Sequence, residues 1–228
     1  MGKDLPETQD IKLADGLDFG SIVVAIEQSF EVRFPDEAFA QVETLGQLHD
    51  VIWARLADDG SGGVKCATSM SFYRLKAQIA KSNPYRRLRP TTSLKSIANF
   101  NYATLREGFT GWAMPAVQIS GFGCLSILVL AIGINLPLAP YFKGWTFLAF
   151  VLSSILLTGI FASFFPATYP AEKTLGDLAR KIAAKNMHRL CVEGGALTST
   201  SVWQAIVTLV ADKIDMNRNN LSRESRFL

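Results

Sequence analysis

Residues 114–136 read MPAVQISGFGCLSILVLAIGINL, without a single charge, and residues 145–165 read WTFLAFVLSSILLTGIFASFF, equally bare. As helices rising 1.5 Å per residue they reach about 34 and 32 Å. A bilayer's hydrocarbon core is about 30 Å thick, so each run is long enough to cross. The linker PLAPYFKG carries Pro137, Pro140 and Gly144, short enough for an antiparallel hairpin. Small residues (Ser154, Thr158, Gly159 and Ser163) would let two such helices approach closely. Trp112, Tyr141, Phe142, Trp145 and Tyr169 fall where interfacial aromatics belong. Neither run has an ionisable group at its centre, which argues against a transporter.

Moving outward, charge is sorted along the chain. Of the 228 residues, 49% are hydrophobic and 19% charged. Residues 1–59 hold thirteen acids and four bases, whereas residues 60–106 hold nine bases and no acid. Positions 107–171 hold only Glu107 and Lys143. Basic flanks on both sides of a nearly uncharged centre predict, by the positive-inside rule, an inner-membrane, multi-pass protein with both termini cytoplasmic. Four segments follow from this reading: an acidic helical unit (1–59), a basic helix-loop stretch (60–107), a transmembrane hairpin (112–167) and a helical carboxy-terminal part (172–228). Arg86, Arg87 and Arg89 form the densest basic cluster and are expected to meet anionic lipid headgroups. No nucleic-acid motif accompanies them, so no nucleic-acid partner is expected.

Within the acidic unit, Ile22, Val23, Ile26 and Phe30 recur at helical spacing, and Pro35 ends that helix. Thr44 then precedes a second stripe of Leu45, Leu48, Ile52 and Leu56. Gly60, Gly62 and Gly63 close the unit. Near the other end, Ser201 is expected to cap a helix whose apolar face is Trp203, Ile206, Val207, Val210 and Ile214. The fold class is therefore all-α.

In Asp15-Gly16-Leu17-Asp18, Gly16 stands fourteen residues before Phe30, which is followed by Val32, Phe34-Pro35-Asp36-Glu37 and Thr44-Leu45-Gly46. In this order and spacing, Lys12 to Leu56 resembles an acyl carrier protein, the phosphopantetheine carrier domain. In that family Asp-Ser-Leu opens the second helix, a Glu-Phe-x-(Val/Ile)-x-(Ile/Phe)-Pro-Asp-Glu run ends it, and Thr-(Val/Leu)-x-x-(Leu/Ala) opens the last. The resemblance covers about a fifth of the chain. Gly16 occupies the place of the family's modified serine, so no pantetheine arm is expected there and no cofactor is implied. Ser21 lies in the helix body and does not match the motif. The resemblance implies a second helix that docks on partner enzymes through its acids, here Asp15, Asp18, Glu27 and Glu31.

The family's first helix is missing before Asp15. The helix near 202–215, followed by MNRNNLSRESRFL, resembles that first helix and its loop. It is therefore expected either to pack against residues 17–56 in permuted order, within one chain or swapped in a homodimer, or to pack on a helix at 174–187 as an independent hairpin. Thr44-Leu45-Gly46-Gln47-Leu48 recurs as Thr174-Leu175-Gly176-Asp177-Leu178, with Ile52 and Ile182 four residues on. RLRPTTSL at 87–94 echoes LPET at 5–8 and LSRES at 221–225. These are either carrier-like pieces reused or common capping chemistry.

Catalytic signatures are absent: no G-x-S-x-G, Walker loop, H-E-x-x-H or C-x-x-C occurs. Three widely spaced cysteines (Cys66, Cys124, Cys191) and two histidines build neither a disulfide scaffold nor a metal site. His49 and Asp50 are neighbours that a helix points about 100° apart, and both are expected at the surface. The first ten residues lack an apolar core, so no secretory leader is expected. The reading is a membrane-anchored, non-enzymatic, carrier-like docking or scaffold protein with a protein partner in acyl metabolism. Its alternative is a component of an acyl-carrier system that still carries acyl groups with a partner chain.

Overall fold

In the computed structural model of the chain, Ile11 and residues 16–57, 63–82, 87–97, 102–116 and 172–227 are described. The chain divides into one compact unit of residues 1–115 and 174–228 and a second of residues 116–173. The first unit is all-α among the described residues. Its helices are α1 (Gly16–Phe30), α2 (Leu45–Ala57), α3 (Ala67–Ser82), α4 (Tyr102–Glu107), α5 (Leu175–Lys185), α6 (Met187–Val192) and α7 (Ser199–Lys213). Short 3-10 turns occupy Asp36–Phe39, Leu94–Ser96 and Arg218–Asn220.

The inner-membrane, multi-pass localisation expected from sequence is corrected here. Among the described residues no helix is long and apolar enough to cross a membrane. The longest, α3, has 16 residues and carries Arg74, Lys76 and Lys81; at 1.5 Å per residue it spans about 24 Å. Beyond Ala116, the apolar runs at 114–136 and 145–165 lie outside the described residues.

Two hydrophobic clusters organise the first unit. In the first, Ile22, Ile26 and Phe30 of α1 and Leu45, Leu48, Ile52 and Leu56 of α2 close around α7, which supplies Val202, Ala205, Ile206, Leu209 and Val210. In the second, Leu75 and Ile79 of α3 meet Leu175, Leu178, Ala179 and Ile182 of α5, with Leu88, Leu94, Leu105 and Phe109 around them. Helix α5 serves both, because Ala183 and Ala184 turn into the first cluster. Each such leucine or isoleucine removed from water stabilises the fold by roughly 1.5–3 kcal/mol.

Helix α7 packs against α1, α2 and α5 together. The carboxy-terminal helix therefore packs against residues 17–56 and also against the helix at 174–187, so the two do not form an independent hairpin. An amphipathic helix with only one apolar side could not do this. Helix α7 has Val202, Ile206, Leu209 and Val210 buried, with Trp203 and Ile214 half-buried beside them. Its start differs from the sequence expectation. Thr198, not Ser201, is the cap: its hydroxyl oxygen accepts the Ser201 amide at 3.1 Å, and Ser201 Oγ accepts the Thr198 amide at 2.8 Å. This reciprocal capping box satisfies two amides that the first turn would otherwise leave open.

Between α4 and α5, the backbone at Ala113 is held by a buried side chain. Asn186 Oδ1 accepts the Ala113 amide at 2.8 Å, and Asn186 Nδ2 donates to the Ala113 carbonyl at 2.9 Å and to Ile182 at 2.7 Å. Trp112 lies beneath Arg74, whose guanidinium carbon is 4.4 Å from the ring centre, a cation–π contact.

Candidate functional site

The repeated T-L-G-x-L segments form two equivalent joints. In the first, the amides of Leu45 and Gly46 donate to the carbonyls of Ser225 (2.9 Å) and Arg223 (2.9 Å). In the second, the amides of Leu175 and Gly176 donate to the carbonyls of Thr92 (2.9 Å) and Pro90 (2.7 Å). Thr44 bridges to Arg226, and Thr174 to Ser93, both antiparallel. The registers coincide throughout: Leu221, Arg223, Ser225 and Arg226 correspond to Leu88, Pro90, Thr92 and Ser93. Leu221 and Leu88 are both buried. Thr44 and Thr174 cap their helices alike, accepting the amides of Gln47 (3.2 Å) and Asp177 (3.1 Å). A helix's first amides lack intrahelical partners, and here a neighbouring loop supplies carbonyls to them. The echoes at 87–94 and 221–225 are thus one structural motif used twice, while LPET at 5–8 lies outside the described residues.

At the first joint sits a polar cluster the sequence reading misplaced. His49 is 2% exposed, not at the surface. It lies on the α2 face that carries Leu45, Ile52 and Leu56, and that face looks onto α7. Its Nε2 is 3.1 Å from the Ser199 carbonyl oxygen and 3.3 Å from Ser199 Oγ. Its Nδ1 is 2.9 Å from Asp50 Oδ1 and 3.2 Å from Arg223 Nη1. Arg223 Nη2 donates to both Asp50 oxygens, at 2.6 and 2.7 Å. Trp203 stands edge-on to His49, with the Arg223 guanidinium over its ring. The Arg223 guanidinium, then His49, holds the Asp50 carboxyl below its ordinary value near 3.8. Asp50 itself remains exposed, as expected.

Serine, histidine and aspartate in a line suggest a nucleophile, a base and its orienter. The same contacts form a clamp. Nε2 lies 3.1 Å from the Ser199 carbonyl and 3.3 Å from its hydroxyl, donating to the first or accepting from the second according to the tautomer. Either form ties α2, the start of α7 and the carboxy-terminal tail together.

The remaining predicted residues are dispersed. Gly16 is the first residue of α1 and offers no hydroxyl. Asp15 and the Asp18 side chain lie outside the described residues. Glu27 turns back on its own chain, where Oε1 accepts the Phe34 amide at 2.8 Å. Glu31 ends α1 in the left-handed region (φ 52°) and stays exposed, 3.6 Å from His188 Nε2. Arg86 lies outside the described residues, while Arg87 and Arg89 are exposed on either side of buried Leu88. Among the described residues no cluster of three or more histidine, cysteine or acidic side chains could hold a metal. Compared with known protein families, with characterised proteins and with solved structures, the chain matches none.

Proposed function

We propose that the chain is a non-enzymatic docking module built from two carrier-like helical units, the first of which lacks the attachment serine. The observation that carries this reading is the twin joint. A helix, a loop with a buried leucine and a T-L-G-x-L helix recur in one register, as α7 with α2 and as α3 with α5. The permuted placement of α7 beside α1 and α2 supports the resemblance from the side where the sequence lacked a helix. Gly16 at the start of α1 supports loss of acyl carriage in that unit. The partner is a protein of acyl metabolism, met at α1 and its flanks, with Asp15, Asp18 and exposed Glu31 as the docking set. Glu27 belongs to the fold, because its carboxylate is occupied by the Phe34 amide.

Co-expression with a phosphopantetheinyl transferase followed by intact mass spectrometry tests the reading. An unmodified chain is expected, and a pantetheine adduct on any serine would favour a working acyl carrier. For the docking half, the Asp18→Lys/Glu31→Lys double variant should lose a cross-linked partner that Glu27→Gln retains.

A further inference from the structure

Helices α3, α5 and α7 meet around a cleft of about 300 Å³. Its floor is apolar and built of short side chains from all three helices: Ala67, Ala183, Ala184 and Ala205, with Met187 closing one end. All five are buried. Its rim is polar. Thr200 and Gln204, one turn apart on α7, line it together with Thr68 of α3, and Arg180 of α5 borders it one turn from Ala184. An apolar floor with few polar groups above it is the pattern of a small-molecule site.

Charge around the cleft is unbalanced. Arg180 pairs with Asp177, and Arg218 stands close enough to both for its charge to be felt: burial, then Arg180, lowers the Arg218 value, while Asp177 opposes. On the adjoining face Lys181 and Lys185 share Asp212, the latter contact at 2.9 Å. Of these cations only Arg180 borders the cleft. A ligand with a single carboxylate therefore matches its one guanidinium. The volume corresponds to about ten waters, which limits the ligand to a short chain.

We propose that this cleft binds a short aliphatic monocarboxylate, its alkyl chain on the alanine floor and its carboxylate at Arg180. The inference rests on the cleft alone and stands independently of the docking reading.

Cys66 lines the same cleft and is exposed, which makes it a built-in reporter. The full chain is treated with iodoacetamide in rising hexanoate, and alkylation of Cys66 is followed by peptide mass spectrometry with Cys191 as internal reference. Hexanoate should slow Cys66 saturably, by threefold or more, while 1-hexanol and hexylamine at equal concentration leave it unchanged. Arg180→Gln should abolish the protection. Thr200→Phe, which fills the mouth from an exposed position, should abolish it too, without touching the Asp177 pair. No slowing by hexanoate, equal slowing by 1-hexanol, or full protection retained in both variants would overturn the proposal.

Discussion

A β-carbon at Gly46 would stand 2.8 Å from the Arg223 carbonyl oxygen, closer than such atoms can rest. Gly176 bears the same relation to Pro90, at 2.9 Å. Both close approaches are with backbone, which cannot swing aside as a side-chain tip can. The glycine of T-L-G-x-L is therefore what lets a helix's first turn sit on its loop. Gly46→Ala and Gly176→Ala should each destabilise the chain by about 1–3 kcal/mol, the usual cost of overpacking. Gly20 is the control: it lies within α1 with nothing inside 4 Å of an added β-carbon. Gly20→Ala should stabilise by roughly 0.5–1 kcal/mol through helix propensity. Urea midpoints of the three variants decide this, and similar losses at positions 20 and 46 would refute it.

Acid should loosen the tail clamp. Asp50 is held below its ordinary value near 3.8, first by the Arg223 hydrogen bond and then by His49. A carboxyl depressed on folding adds stability that is full above its unfolded value and is lost as pH falls through its folded value. The Asp50 contribution is thus present at neutral pH and fades below about 3.8. The pair is largely exposed, so it is worth at most about 1 kcal/mol. Asp50→Asn should lower the urea midpoint at pH 7, with the gap to the parent closing toward pH 3. A gap of constant size would show that Arg223 and Asp50 contribute nothing through charge.

Much of this was legible in the residues, because apolar stripes at helical spacing survive any arrangement of the helices. Leu45, Leu48, Ile52 and Leu56 are buried as a stripe should be, and the twin T-L-G-x-L starts dock alike. What escaped depended on partners far along the chain. His49 is buried because Ser199 and Arg223, 150 and 174 residues away, satisfy its ring. Glu27 looks like a solvated acid until the chain doubles back at Phe34. The cleft needs three helices that only the fold assembles. The localisation failed for another reason: apolar windows at 114–136 and 145–165 report composition alone, and no described helix has the length and apolarity to span.

Helix α7 is the shared wall of the first cluster, so its loss should be felt far from it. Ile206, wholly buried, should cost about 2–5 kcal/mol when cut to alanine. Truncation before Ser199 removes the whole wall and exposes Leu45, Leu48 and Ile52 of α2. Hydrogen exchange should then show protection lost across residues 20–55, whereas unchanged protection there would mean that α1 and α2 stand without it.

Asn186 offers the sharpest contrast between substitutions of similar size. Its amide nitrogen donates to the carbonyls of Ala113 and Ile182, while its oxygen accepts the Ala113 amide. Asn186→Ala deletes these bonds, but Ala113 is exposed and finds water. The loss should be about 1–3 kcal/mol, mostly the buried part. Asn186→Asp keeps the acceptor yet turns a carboxylate oxygen toward two carbonyls, in a site where the parent side chain is 7% exposed. A buried charge facing acceptors is worse than an absent group, so the aspartate variant should be the less stable of the two at pH 7. Lowering the pH protonates that carboxyl, restores one donor and should narrow the difference. Urea midpoints at pH 7 and pH 4 measure both effects, with exchange at residues 109–114 reporting the local release. An aspartate variant as stable as the alanine one at pH 7 would mean that the side chain does not hold this backbone as described.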